Sequence, residues 1–317
     1  MHICKVQSSK PTNITKQEYQ EIYQQIQSEQ FFQSLKQIYQ QYPFHPISEL
    51  HIIEPQYQCK MKRNIFRLLE IKGTIQDHKV SFLIDTGAQI SAIRDTFYQK
   101  LGIKTYKSID VGSFGGGNSS LESVVVSHLQ VGGIEIINHP MLVLSKDTFT
   151  MKLMGVDLLQ FDAILGWDVL SRIDFELDDI SHTFKLIDNS YRFKYPNAIK
   201  GGFPFMIGRR KNEVIKIGID TGAFYSWISK DYMKEHQLEG HSVETISYGV
   251  HGKEINQTQL LADFDVLLDR GYIKLKDIMQ GPCHIYPSFH YDMILGNEIF
   301  KGRRIRFLNS ASMVLFT

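Results

Sequence analysis

The sequence predicts an all-β protein of two pseudo-twofold-related halves, bilobal in outline, with an N-terminal α-helical extension. Three observations predict it. Short β-type runs take over from about residue 62. The tetrapeptide Asp-Thr-Gly-Ala occurs at 85–88 and again 135 positions later at 220–223. Each copy is followed, after 81 and 76 residues, by the Gly of an Ile-Leu-Gly, at 164–166 and 294–296. A repeated order at similar spacing is the mark of an internal duplication, which is read before any other fold argument. On that reading residues 1–61 are a Gln-rich helical extension, 62–192 the first half and 193–317 the second.

The extension opens its helical stretch with Thr-Lys-Gln-Glu, in which Thr15 caps the helix and Glu18 reaches back in a capping box. Tyr19, Ile22, Tyr23 and Ile26 then share one face, and after a break near Ser28 a second stripe runs through Phe32, Leu35, Ile38, Tyr39 and Tyr42. Such stripes bury against something: a helix or helical hairpin docked on the body of the chain is the plain reading, and a propeptide or recruiting arm is the alternative. In the first half two apolar runs flank the polar turn Gln76-Asp77, which reads as a hairpin entering the first Asp-Thr-Gly. The second half repeats this around Arg209–Asn212. A helix follows each Asp-Thr-Gly, the first ending at Gly102 and the second capped by Ser229 and ending at Gly240. Each Ile-Leu-Gly is followed by a helical turn and a last strand.

Composition narrows the function. The chain has 317 residues, about two domains' worth, and 43% apolar content. Its net charge of +1 leaves no electrostatic footprint for nucleic acid or anionic membrane. Three scattered cysteines, Cys4, Cys59 and Cys283, fit a reducing compartment rather than a disulfide framework. With no signal-like apolar start or membrane-length run, the expected location is cytoplasmic. Cys283, His284 and His290 match no zinc signature. Neither a metal nor an organic cofactor is implied.

The chemistry asks for the repeat as much as the fold does. Water can attack a peptide bond without a metal when one carboxylate takes its proton and a second donates a proton to the carbonyl oxygen. Asp85 and Asp220 are the candidates. Gly87 and Gly222 leave room beside the partner carboxylate, and Thr86 and Thr221 are placed to bond across to the opposite loop. The Ile-Leu of each later motif passes behind that loop, and its Gly permits the close approach.

With these residues in view, the stretch 62–317 resembles the retropepsin and pepsin family of aspartic peptidases. Its short halves beginning Asp-Thr-Gly-Ala are most similar to retropepsin subunits, here two in one chain. The resemblance implies an aspartic endopeptidase, with an extended protein or peptide substrate in a cleft between the halves of a monomer. It also implies a hairpin flap over the substrate. The candidates are 110–120, with Phe114, Gly115 and Gly116, and 246–255, with Tyr248 and Gly249, where Gly suits a moving tip; ordinary hairpin loops would look the same. Ile90, Phe224, Trp227 and Trp167 are read as cleft wall or as core. A non-catalytic dimerisation or peptide-binding module is the alternative, and so is a dimer in which each half pairs with its own kind. Two adjacent carboxylates speak against the module, which gains nothing by holding like charges together.

Overall fold

The computed structural model describes residues 6–7, 14–28, 48–112, 118–145, 152–153, 156–157, 161–188, 192–193, 196–199, 201–249, 252–268, 271–281, 283–286 and 289–317. The fold is all-β and bilobal, with few and short helices in the body.

Helix α1 (Lys16–Ser28) begins with the capping box read from the sequence: Glu18 N donates to Thr15 Oγ1 at 3.1 Å, and Thr15 N to the Glu18 carboxylate at 2.7 Å. Its apolar stripe docks on the second half. Ile14 and Ile22 are buried with Ile199, Phe203, Phe205 and Ile207, and Tyr19 donates to the Ala198 carbonyl at 3.1 Å. Arg209 closes the contact on Glu18 at 3.1 Å. The second stripe, from Phe32 to Tyr42, lies outside the described residues. Residues 49–60, placed by the sequence in the extension, are built into the body. Strand β1 (Glu49–Ile52) pairs with a strand of the first half at 134–137, and β2 (Gln58–Lys60) pairs at 183–185.

The first half continues with β3 (Leu69–Ile75), β4 (His78–Ile84), β5 (Ala92–Arg94), α2 (Asp95–Leu101), β6 (Tyr106–Gly112), β7 (Asn118–Val131), β8 (Ile134–Leu144), β9 (Ala163–Leu165), α3 (Trp167–Leu170), β10 (Asp174–Asp178) and β11 (Thr183–Leu186). The β3–β4 turn takes φ of 46° at Gln76 and 66° at Asp77, the left-handed pair that lets a two-residue turn follow the strand twist. Residues 80–84 of β4 are buried on both faces, which is why Phe82, Leu83 and Ile84 run on without alternation, and the one polar side chain, Ser81, donates to Glu70 at 2.9 Å. It lies antiparallel to β3 and parallel to β9. β9 in turn lies antiparallel to β5, which runs parallel to β8.

The second half repeats these relations with β12 (Phe205–Arg210), β13 (Glu213–Ile219), β14 (Trp227–Ser229), α4 (Lys230–Glu235), β15 (His241–Gly249), β16 (Gly252–Leu267), β17 (Tyr272–Gly281) and β18 (Met293–Leu295). β18 runs parallel to β13 and antiparallel to β14, which runs parallel to β17. Register is kept as well: Ile71 faces Phe82, and Met206 faces Ile217, each pair 135 positions from its counterpart. Ser229 caps α4 by accepting from Tyr232 N at 3.0 Å. The helix ends at Glu235 rather than running to Gly240. Gln237 takes the left-handed conformation at φ 50°, and Leu238 N turns back to the Met233 carbonyl at 2.9 Å.

The halves are joined by a shared sheet. Strand β10 pairs antiparallel with β19 (Arg304–Leu308), which carries β20 (Met313–Phe316) on its other side. Phe175 and Phe307 face each other across this seam with ring centroids 4.7 Å apart, and Phe184 stacks on Phe175 at 5.8 Å. Trp167 is buried against Phe307, so it belongs to the core. Arg304 pairs with Asp178 and Arg306 with Glu176 along the same seam. A shared sheet with a stacked aromatic core fixes the halves relative to each other, which a two-carboxylate site demands.

Candidate active site

Asp85 and Asp220 stand at the ends of β4 and β13, each anchored from behind by the repeated Ile-Leu strand. Asp85 N donates to the Leu165 carbonyl at 3.1 Å, and Asp220 N to that of Leu295 at 2.8 Å. Glycine is required after each Leu. A Cβ at 166 would stand 2.8 Å from the Ala88 carbonyl oxygen, and one at 296 would overlap the Tyr225 backbone.

The two loops then interlock. Thr86 N donates to Thr221 Oγ1 at 2.9 Å and Thr221 N to Thr86 Oγ1 at 3.0 Å. Each hydroxyl passes its own proton across, Thr86 to the Ile219 carbonyl and Thr221 to that of Ile84, both at 2.7 Å. Both threonines are fully buried, so every donor and acceptor in the crossing is matched within the protein.

Each carboxylate accepts two backbone N–H groups of its own loop. Asp85 Oδ1 takes Gly87 N at 2.9 Å and Ala88 N at 3.0 Å, and Asp220 Oδ1 takes Gly222 N at 2.8 Å and Ala223 N at 3.0 Å. The glycines make the pair possible. A Cβ on Gly87 would stand inside the Asp220 carboxyl group, and one on Gly222 inside that of Asp85. The carboxyl groups therefore meet side chain to side chain, within hydrogen-bonding reach.

Burial raises the pKa of Asp85, and burial together with the adjacent Asp85 charge raises Asp220 well above the usual carboxylate range. The backbone N–H groups oppose both shifts without cancelling them. Two like groups at this separation favour one shared proton and titrate jointly. Such a pair can accept and donate a proton in the same step.

Further residues support the loops. Ser91 Oγ accepts from Gly166 N at 3.0 Å and donates to Asp168 at 2.7 Å, and the fully buried His139 lies 3.3 Å from that carboxylate. In the second half Ser226 Oγ accepts from Gly296 N at 2.9 Å, and Ser226 N donates to Glu298 at 2.5 Å. The repeated Ser three residues after each Ala, with an acid two residues after each Ile-Leu-Gly, was the available sequence signal. The residue after each Ile-Leu-Gly also reaches across the interface. Trp167 Nε1 donates to the Gly201 carbonyl at 3.0 Å, and Asn297 Nδ2 to that of Arg67 at 2.6 Å.

Both flap candidates fall on hairpins. β6 pairs with β7 out to Gly112 and Asn118; Phe114, Gly115 and Gly116 lie outside the described residues. β15 pairs with β16 out to Gly249 and Gly252, placing Tyr248 opposite Lys253 next to the tip. Ile90 and Phe224 are half-buried and pack against the same apolar cluster of the first half, with Leu83, Ala92 and Ile164, and Trp227 packs partly buried against the cluster beneath α1.

Residues 71–169 match the model of the aspartyl protease family. A retropepsin-like aspartic protease from Rickettsia conorii shares 20% identity, over 45% of this chain and 94% of that one, with a TM-score of 0.29. None of the curated proteins matches the sequence. Residues 71–169 thus carry the aspartyl protease family signature, and the second half of the chain repeats its dyad loop, its hairpin and its Ile-Leu-Gly in the same order.

Proposed function

We propose that this chain is an aspartic endopeptidase with one active site, formed within a single chain between its two halves. The observation that carries the reading is the reciprocal geometry of the dyad. Each carboxyl group sits over the other loop's glycine, and the threonine crossing locks their separation. A water held between Asp85 and Asp220 loses its proton to the ionised carboxyl group as its oxygen attacks the scissile carbonyl carbon. The protonated partner donates to the carbonyl oxygen. The tetrahedral gem-diol then collapses: the newly protonated carboxyl group gives its proton to the amide nitrogen, the ionised one takes a proton from a gem-diol hydroxyl, the C–N bond breaks to release the amine, and the dyad is left with its single proton.

The substrate is a protein or peptide in extended form, lying across the dyad beneath the hairpins β6–β7 and β15–β16. The functional unit is a monomer, since both carboxylates come from one chain across a shared sheet. The seam between halves falls near residue 193, before the second copy of the β-hairpin motif. Gly87, Gly222, Thr86 and Thr221 set the dyad geometry, and Tyr248 and Gly249 belong to the closing hairpin.

The test is hydrolysis of a peptide library by the wild type and by Asp85→Asn and Asp220→Asn. Asparagine keeps the shape but carries no exchangeable carboxyl proton, so each variant is expected to fold and to lose all detectable cleavage. Cleavage surviving in either folded variant would refute the assignment.

A further inference from the structure

Ser91, Asp168 and His139 form a buried group behind the Asp85 loop, and the proposed chemistry uses none of them. The Asp168 side chain is 1% exposed and accepts three hydrogen bonds, from Ser91 N at 3.0 Å, Ser91 Oγ at 2.7 Å and Val169 N at 3.0 Å. Ser91 Oγ in turn takes Gly166 N at 3.0 Å, and the next amide, Trp167 N, donates to the Ala88 carbonyl at 2.7 Å. Ala88 N is one of the two groups that hold the Asp85 carboxylate. A displacement of Asp168 therefore reaches the dyad through a short run of hydrogen bonds.

His139 of β8 stands against the same carboxylate, with Nε2 3.3 Å from Asp168 Oδ2. The backbone is shaped to put it there. Ile134 and Ile136 face the core at the start of β8, Asn138 turns into the left-handed region at φ 52°, and Met141 and Val143 face the core beyond it. The phase of the strand shifts by one residue, and His139 falls on the inner face, fully buried. An apolar side chain would fill that position at no electrostatic cost. The imidazole instead buries two ring nitrogens that have no hydrogen-bond partner of good geometry among the described residues, which is unfavourable taken alone. What it gains is the carboxylate. A buried carboxylate is expensive unless a cation or proton donor accompanies it, and His139 is the one basic side chain described within ion-pair distance of Asp168.

The second half treats its buried acid differently. Glu298 takes the part of Asp168 and accepts from Ser226 N at 2.5 Å, but β17, which pairs with β14 as β8 pairs with β5, carries no histidine. Burial pushes the Glu298 carboxyl up, toward keeping its own proton. The histidine thus belongs to one half and is not a requirement of the shared fold. We infer that His139 is a positioning residue for the Asp85 carboxylate: by holding Asp168 it fixes Ser91, and through Ser91 and Gly166 the loop 85–88. For its effect on turnover the inference rests on the peptidase reading, to which it adds a support that acts on one carboxyl group of the dyad only.

The experiment measures native-state amide hydrogen exchange, Tm and peptide hydrolysis for the wild type, His139→Leu, His139→Gln, and His139→Leu combined with Asp168→Asn. Leucine fills the space and offers the carboxylate nothing, whereas glutamine keeps an N–H for it. In His139→Leu the amides of Gly87 and Ala88 should exchange at least about 10-fold faster while those of Gly222 and Ala223 keep their rates, a one-sided change that a general loss of stability does not produce. Its kcat should fall at least about 10-fold with KM changed less than about 2-fold, because the misplaced group acts in the chemical step. His139→Gln should recover most of both losses. The double variant removes the buried charge together with its partner, so its Tm should lie above that of His139→Leu alone, the non-additivity of two residues in contact.

If His139→Leu does not fold, a double variant that does fold is the supporting result. Equal exchange at the two loops, an unchanged kcat, His139→Gln no better than His139→Leu, or a double variant less stable than the single one would each overturn the inference. With a wild type that cleaves peptides, any of these leaves the peptidase reading standing. A wild type that cleaves no peptide overturns the peptidase reading instead, and the exchange rates and Tm values still decide whether His139 holds the Asp85 loop.

Discussion

Replacing Thr86 by Val tests the interlock that holds the dyad. Valine keeps the β-branched shape, so the strand end is undisturbed and only the hydroxyl is lost. That hydroxyl accepts from Thr221 N at 3.0 Å and donates to the Ile219 carbonyl at 2.7 Å, both buried where water does not replace it. Two groups are left unmatched, each costing about 1–3 kcal/mol, so the variant should be destabilised by about 2–6 kcal/mol. Against a typical total of about 5–15 kcal/mol this is severe but survivable. Thr86→Ser keeps the hydroxyl and loses one methyl, about 1 kcal/mol. Urea unfolding followed by tryptophan fluorescence would measure both. Peptide hydrolysis well below the midpoint should fall about 100-fold in the Val variant, since a misplacement of about 1 Å suffices for that. Val and Ser variants of equal stability and activity would refute the claim that these hydrogen bonds, rather than the packing of the methyl group, hold the loops.

Other outcomes follow from the same geometry. Burial raises the dyad pKa values, so the folded state binds more protons than the unfolded chain above about pH 4, and stability falls as pH rises through the raised values; Asp220→Asn should therefore raise Tm at neutral pH and lose that advantage near pH 3, as calorimetry would show. Ala88 and Ala223 present no hydroxyl to the carboxylates, so kcat/KM should form a bell reaching into the range of about pH 5 to 7, and Ala88→Ser with Ala223→Ser should draw its alkaline limb downward by stabilising the charged form; an optimum near pH 3 or an unmoved limb would contradict this. Deleting residues 1–28 uncovers Ile199, Phe205 and Ile207, and should lower Tm and solubility while changing kcat/KM little; strong activation on truncation would mark the segment as inhibitory.

Much of the fold was legible because the duplication writes the same loop into the sequence twice. The meeting of Asp85 and Asp220 is readable from sequence since a loop whose carboxyl group faces its twin also needs Thr for the crossing and Gly for the close approach, and the duplication repeats all three. Ile-Leu-Gly was readable for the same reason. The Ser91–Asp168 and Ser226–Glu298 clamps left a fainter signal, a Ser and an acid repeated at fixed offsets, because the acid changes from Asp to Glu and lies 77 and 72 positions from its serine. The cross-half hydrogen bonds of Trp167 and Asn297 were hidden because two unlike side chains do one job. β1 escaped because Glu49–Ile52 gains its partner only across the body, at Ile134–Ile137. The end of α4 was misplaced for a local reason: Gly240 is an ordinary stop signal, but Gln237 had already adopted the left-handed turn.

The most direct test of the central claim is peptide hydrolysis by an equimolar mixture of Asp85→Asn and Asp220→Asn chains, run beside each variant alone and the wild type. Both carboxylates of the proposed site belong to one chain, joined through β10 and β19 and the threonine crossing. Every mixed molecule therefore keeps one defective dyad. The account predicts an active wild type and a mixture as inactive as its components, whereas recovery of activity on mixing would show that the working site is assembled between chains.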